Sequence, residues 1–459
     1  MTDSGNPTIV RPPPSTLYRW MVLVFVSLAM FGNYYVYDSM APVFDLLTLE
    51  LGFTDQQKGL LYSVYSIAAV LFLLVGGVII DRWGTKKSIS VFALICLVAA
   101  VVTAISSEFL VMLLGRFLLG LGAEPLIVAV TTALAKWFKG KELSFAFGIN
   151  LTISRLGSAS ADWSTGWAAP LYENWQDPLW LASAIAGVSV AGALLYWFTE
   201  NRAEERFELG EAEETEKLNI KELYSFSPSY WYIVALCVVF YSTVFPFRAF
   251  AIDYFQQAHG LERAAAGLLN SVLPLAAMVA TPLFGLLVDR IGRRSLFMTL
   301  GSLLLLPLFL VVTYAPPGPE VALTLPLLGS AQVPLTLLVV MLVLGVAFSL
   351  IPAVMWPSVA YIVEQRRLGT GYALMTLCQQ VGMAIVPWLI GFTNDLFAAS
   401  PANPGGYAPS MWIYTLLASL GLVFSFLLWR SERGPGSHGL ETITTKKNPV
   451  EAGGDQTSG

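Results

Sequence analysis

The chain has 459 residues, 56% of them hydrophobic, and carries only 26 Lys+Arg and 31 Asp+Glu. Its charged fraction of 12% is far below the roughly 25% of ordinary soluble domains. That excludes a soluble multidomain enzyme, a disordered scaffold and a nucleic-acid binder, which would need a basic patch. Mean hydropathy is +0.65, and several apolar runs exceed the roughly 18 residues that cross hydrocarbon as a helix. The sequence reads as a polytopic membrane protein.

The apolar runs predict twelve spans. They lie near 18–47, 57–80, 87–106, 109–137, 142–170 and 178–198 in the first half. In the second half they lie near 230–257, 264–288, 295–314, 335–362, 369–394 and 410–430. The fold class expected is all-α, two pseudo-symmetric bundles of six transmembrane helices. The expected divisions are an N-terminal tail (1–17), a first bundle (18–198), a linker (199–229), a second bundle (230–430) and a disordered C-terminal tail (431–459). The linker holds nine acids and four bases, a net charge of −5 that equals that of the whole chain. It reads as a solvated connector. Of the 26 bases, 21 fall in the termini, the linker and the loops on the same side; the opposite loops hold only Lys58 and Arg263. The positive-inside bias therefore puts both termini in the cytoplasm, with a cell's surface (inner) membrane as the expected location.

Cys96, Cys237 and Cys378 each fall inside an apolar run without zinc spacing, and His259 and His438 lie far apart. No phosphate-cradling G-x-x-x-x-G-K-[ST] occurs and no nucleophile–base constellation emerges. No metal, cofactor or enzymatic activity is expected, and the first span reads as uncleaved.

An internal repeat is present. Gly77-Val-Ile-Ile-Asp81-Arg82-Trp-Gly84-Thr85-Lys86-Lys87 follows span 2, and Gly285-Leu-Leu-Val-Asp289-Arg290-Ile-Gly292-Arg293-Arg294 follows span 8, 208 residues later. Arg155-Leu-Gly157 in span 5 aligns with Gln380-Val-Gly382 in span 11, offset by 225, and Trp20 aligns with Trp231. The difference in offset falls in a longer Pro-rich loop near 315–334. Two repeat-related halves suggest a transporter with its site at their interface near the midplane.

These words resemble the signature loop of the major facilitator superfamily, over about residues 18 to 430. Arg116-Phe-Leu-Leu-Gly120-Leu-Gly122 in span 4 is similar to that superfamily's R-x-x-x-G-x-G. Thr85 departs from the expected basic residue, and the Gly-Pro-rich word of drug/proton antiporters is missing between Ser154 and Ala169. A narrower resemblance rests on Gly115-Arg116-Phe117 through Glu124, Trp137-Phe-Lys-Gly-Lys-Glu-Leu143 and Ser154-Arg155-Leu-Gly-Ser158. With Val244-Phe-Pro-Phe247, Phe284-Gly-Leu-Leu-Val-Asp289 and Trp356-Pro357, these resemble the lysosomal dipeptide transporter branch. That resemblance implies facilitated passage of dipeptides, with Glu124 and Arg155 in the substrate site.

The residues point the same way. Glu124 is the sixteenth residue of span 4 and Arg155 the fourteenth of span 5, so both fall near the midplane. A lone charge there costs at least ~2.5–3.5 kcal/mol, so it faces a partner or a wet cavity. Arg155 suits a carboxylate by a bidentate fork and Glu124 suits an ammonium, a pattern fitted to a zwitterion. A structural ion pair between them is the alternative. Asp38 and Arg248, in repeat-related spans 1 and 7, are a second candidate pair, read as a salt bridge closing the outer gate. Tyr34 shares a helical face with Asp38 and is a candidate for the cavity wall. Tyr241, Arg248, Trp356 and Gln380 are further candidates from the second half. Arg116 and Asp162 fall at a common depth and are read as a structural pair. Asp81, Arg82, Asp289 and Arg290 are read as gating groups that hold the inner side shut in one state.

The expected function is a secondary transporter of dipeptides or similar zwitterions, moving them by alternating access as a uniporter. Its expected partners are that small-molecule substrate and the lipid bilayer. The alternatives are a proton-coupled or facilitated carrier of small organic anions, and a non-transporting sensor of the same fold.

Overall fold

The computed structural model describes residues 12, 14–138, 142–207, 226–325 and 329–443. The part of the expected linker from 208 to 225 and the ends of both tails lie outside the described residues. The first crossing comprises α1 (Thr16–Asp38) and the short α2 (Phe44–Leu51). Then come α3 (Asp55–Ile105), α4 (Phe109–Phe138), α5 (Leu143–Trp167) and α6 (Asp177–Arg206). The second half holds α7 (Pro228–His259), α8 (Arg263–Ile291), α9 (Arg294–Tyr314), α10 (Leu335–Ile362), α11 (Leu368–Leu396) and α12 (Ala408–Ser431). Among the described residues ten helical stretches are long and apolar enough to cross a membrane. The first part of α3 and the whole of α5 complete the twelve crossings. α5 is less apolar because Ser154, Arg155, Ser158 and Asp162 recur on one face at three- and four-residue intervals.

The tail expected to be disordered from 431 is packed over its described part: the Arg293 and Arg294 N–H groups donate to the carbonyls of Glu441 and Leu440, and Leu440 is buried. Three further local features differ from the sequence expectation. The first span breaks after Asp38: Pro42 has no N–H to offer the Asp38 carbonyl, and a 3-10 turn over Ala41–Val43 redirects the chain into α2. Spans 2 and 3 run on as α3, interrupted only at Gly84, whose φ of +76° is open to glycine alone at low cost. Gly292, its partner in the repeated D-R-x-G word, has φ +72°. The repeated glycine therefore encodes the same reversal in both halves. Third, the Pro-rich loop contains an antiparallel hairpin, β1 (Glu320–Leu325) with β2 (Gly329–Pro334), registered from Glu320 opposite Pro334.

The turns at Gly84 and Gly292 share a face of the molecule with the start of α1 and the ends of α6 and α12. We call this the terminal face and its opposite the far face. Helix packing repeats between the halves. A Cβ on Gly157 would stand 2.3 Å from the Phe31 carbonyl oxygen, and one on Gly382 would stand 2.2 Å from Ser242 Oγ. Gly157 and Gly382 are repeat mates, and so are Phe31 and Ser242 in the alignment of Trp20 with Trp231. α5 thus lies on α1 as α11 lies on α7.

The halves meet where α3 packs on α11 and α5 on α8. One buried apolar cluster is drawn from residues 22 to 203 of the first half. A larger one unites the second half with far-face residues of the first, including Met40, Phe44, Leu47, Tyr62 and Met112. Close packing on the far face depends on two glycines: a Cβ on Gly59 would lie 2.2 Å from the Pro387 carbonyl oxygen, and one on Gly391 would lie 2.1 Å from that of Asp55. Gly391→Val is therefore expected to part α3 from α11. A cysteine placed at buried Ala249 should then be alkylated faster than in the Gly391 parent; equal rates would contradict this packing.

Candidate functional site

The site begins with α4. Gly120 is the first glycine of R-x-x-x-G-x-G, and a Cβ there would lie 2.2 Å from the Tyr65 carbonyl oxygen. That close approach brings α3 against α4 and lets the Tyr65 hydroxyl donate to Glu124 Oε1 at 2.9 Å. Gln380 Nε2, from α11 in the other half, donates to the same oxygen at 3.0 Å. Glu124 Oε2 accepts no hydrogen bond among the described residues. Pro125 follows directly; its missing N–H leaves a carbonyl of the preceding turn without its helical donor and loosens α4 at the midplane.

Arg155 does not pair with Glu124. Its guanidinium carbon lies 4.8 Å from the ring centroid of Phe348 on α10 and 6.0 Å from that of Tyr34 on α1. Among the described residues it has no carboxylate partner. Cation–π contacts of this kind contribute about 0.5–2 kcal/mol, less than a bidentate carboxylate would. Arg155, Tyr34, Asp38, Ser158, Arg248 and Phe348 share the wall of a narrow cavity, with Val244, Phe245, Leu273 and Pro274 adding apolar surface. Tyr34 stands within electrostatic reach of Arg155, Glu124 and Asp38 together. Glu124 is not in that wall, so the structure holds an acid and a base apart, each contacting the opposite half.

Trp356 lies behind the cavity wall: its indole N–H donates to the Tyr241 hydroxyl at 3.0 Å, its ring stacks on Tyr372, and Tyr241 stacks on Phe245 of the wall. Both tyrosines are residues of the second half, and neither lines the cavity that holds Arg155.

On the far face, Arg248 bonds Asp38 through Nη1 and Asp162 Oδ2 through Nη2 at 2.8 Å. Asn270 Nδ2 donates to Asp162 Oδ1 at 3.0 Å. Helices α1, α5, α7 and α8 are thereby tied together around three buried charges. The pairing of Arg116 with Asp162 expected from equal depth does not occur. Arg116 turns into its own bundle, donating to the carbonyls of Leu61, Val36 and Tyr37 at 3.2–3.3 Å beside the rings of Tyr37 and Tyr62. Depth sets height along the bundle but not azimuth; Asp162 lies seven residues after Arg155, on the face that meets the second half.

A second far-face cluster was not anticipated. Lys58 Nζ lies 2.5 Å from Asp253 and 2.6 Å from Asp55. Asp395 accepts the backbone N–H groups of Asp55 and Gln56, both at 2.9 Å, at the N-terminus of α3. Arg263 bonds Asp45 and the Tyr172 carbonyl. The available signal was that Lys58 and Arg263 are the two bases in the far loops, where a cation has a reason to be.

On the terminal face, Asp289 bonds Arg294 Nη2 at 2.8 Å, while Arg82, Arg290 and Asp81 are exposed. Thr85, the departure from the signature, donates to buried Glu200 at 3.1 Å, which Lys136 also bonds at 2.8 Å. The inter-half hydrogen bonds described above all lie at the Glu124–Gln380 level or beyond it toward the far face. The far face is the closed one.

Two repeat-related six-helix halves around charges at their interface define a membrane transporter. The Major Facilitator Superfamily model matches residues 26–316 and 248–452. The chain belongs to the major facilitator superfamily, in the branch of the MFSD1 transporters. It is 30% identical over 406 residues to the lysosomal dipeptide transporter MFSD1 of Bos taurus, covering 85% of this chain and 83% of that one. Against the Homo sapiens protein of that name it is 29% identical over 440 residues, 93% and 89% of the two chains. Among solved structures it is similar to a bacterial homolog of the human lysosomal transporter Spinster, inward-facing and occupied. The TM-score is 0.70 and the identity 16%, over 91% of this chain and 98% of that one. It is also similar to the nucleoside transporter NupG, with TM-score 0.67 and 14% identity over 91% and 99%. The protein is a multi-pass membrane transporter and not an enzyme.

Proposed function

We propose that the protein carries dipeptides or similar small zwitterions across its membrane by alternating access. The observation that supports this most is the separation of Glu124 from Arg155. Each is held by a neutral group of the opposite half, Gln380 and Phe348, and neither is neutralised by the other. A substrate ammonium at Glu124 Oε2 and a carboxylate on the Arg155 fork would replace weak contacts with charge-assisted ones. Tyr34 would line the space between them, and Asp38, Arg248 and Asp162 would hold the far gate. Asp81, Arg82, Asp289 and Arg290 would latch the terminal face in the alternate state, with Arg116 bracing α4. The substrate supplies one charge of each sign and the site does the same, so no co-ion is needed and uniport is the mode proposed. The count of bases favours cytoplasmic termini and a cell's surface membrane.

A second reading, carriage of a small organic anion, draws on the lack of a carboxylate partner for Arg155. Uptake into proteoliposomes distinguishes them. Alanyl-alanine should enter saturably, at equal rates with and without a pH gradient, while free amino acids and monocarboxylates do not compete. Competition by anions alone would favour the second reading, and inertness toward every dipeptide would overturn the first.

A further inference from the structure

Gln380 is 2% exposed, and its Oε1 is buried without a hydrogen-bond partner. The orientation of the amide follows from its neighbour. A carboxylate only accepts, so the NH2 group must face Glu124 and Oε1 must face away from it. A buried acceptor with no donor is costly and calls for one in some state of the cycle. Tyr65 and Gln380 both spend their donors on Glu124 Oε1, so the carboxylate offers a substrate its other oxygen, Oε2. The two acceptors without a donor, Glu124 Oε2 and Gln380 Oε1, belong to side chains that already touch.

We infer that Gln380 Oε1 is the second acceptor for the substrate's ammonium, and that this selects substrates whose N-terminus is a free amine with more than one N–H to give. The inference rests on the zwitterion reading of the site and narrows its substrate class. Repeat symmetry supports it: Gln380 occupies in the second half the position of Arg155 in the first. The contacts are mirrored as well. Arg155 reaches Phe348, next to Ser349, the repeat mate of Glu124; Gln380 reaches Glu124 itself. Two related positions thus read the two ends of one zwitterion.

The probe pair is alanyl-alanine and N,N-dimethyl-alanyl-alanine, which keeps the positive charge but retains a single N–H. Affinities are measured by calorimetry on the purified full chain, as wild type, Gln380→Leu and Gln380→Met. Wild type should prefer alanyl-alanine by about 10-fold, the value of one acceptor left without its donor. In both variants the two affinities should converge to within about 3-fold. A purely structural role for Gln380 would weaken both ligands in parallel and keep their ratio, and that result overturns the inference, as does a wild-type ratio near one. Failure of wild type to bind alanyl-alanine at all would overturn the zwitterion reading as well, so the two failures are distinct. Two variants of different shape guard against one that misfolds, and the wild-type ratio needs no variant.

Discussion

Arg155→Ala is expected to abolish thermal stabilisation by dipeptides while leaving the ligand-free protein folded. The side chain lies in the cavity wall and its contacts are with Phe348 and Tyr34. Its removal therefore strands no buried carboxylate. The loss falls on ligand: truncating one member of a buried charged pair costs about 2–5 kcal/mol, or roughly 30-fold or more in affinity. Arg155→Lys should recover only part of it, because an ammonium keeps the charge without the planar fork. Glu124→Gln should lose affinity comparably and also weaken a link between halves, since Gln380 donates to it from α11. The readout is the ligand-induced rise in Tm across a dipeptide titration. A normal rise in both Arg155→Ala and Glu124→Gln would move the site elsewhere.

The second large effect concerns the far gate. Arg248→Leu leaves Asp38 and Asp162 buried without the cation both of them bond. Breaking a buried ion pair from one side costs about 3–5 kcal/mol. The halves can relieve that burden by parting on the far face, where water reaches the acids. Spin labels on the far-face ends of α2 and α8 should therefore report longer distances in Arg248→Leu than in wild type. The triple replacement Asp38→Asn, Asp162→Asn, Arg248→Leu carries no stranded charge and should lie closer to wild type in both Tm and distance. If the single variant matched wild type, or the triple were the worse of the two, the network would not be what closes this face.

Much of the fold was legible because membrane spans are written in long apolar runs. The repeated Asp81-Arg82-Trp-Gly84 and Asp289-Arg290-Ile-Gly292 words carry their turn in a glycine that the structure holds at positive φ in both halves. The break after Asp38 was hidden because Ser39, Met40, Ala41 and Pro42 interrupt no apolar run; hydropathy is blind to a missing N–H. Depth along a helix put Glu124, Arg155, Asp38 and Arg248 at the levels where the structure brings the halves together, since rise per residue is fixed. Depth alone could not say that Asp162 would meet Arg248 and not Arg116. That depends on how α5 is rotated against α8, and a Cβ on Gly267 would stand 2.4 Å from the Asp162 carbonyl oxygen. Phe348 and Tyr65 were invisible for a different reason. An aromatic residue in a membrane helix looks the same whether it faces lipid, core or a guanidinium, and only packing tells them apart.

In the proposed site one zwitterion spans Glu124 and Arg155. A structure of the full chain with alanyl-alanine bound should show the ligand carboxylate on the Arg155 guanidinium in place of the Phe348 contact, and the ammonium at Glu124 Oε2 beside Gln380. A dipeptide bound elsewhere, or bound here with its termini reversed or touching neither charge, would contradict it.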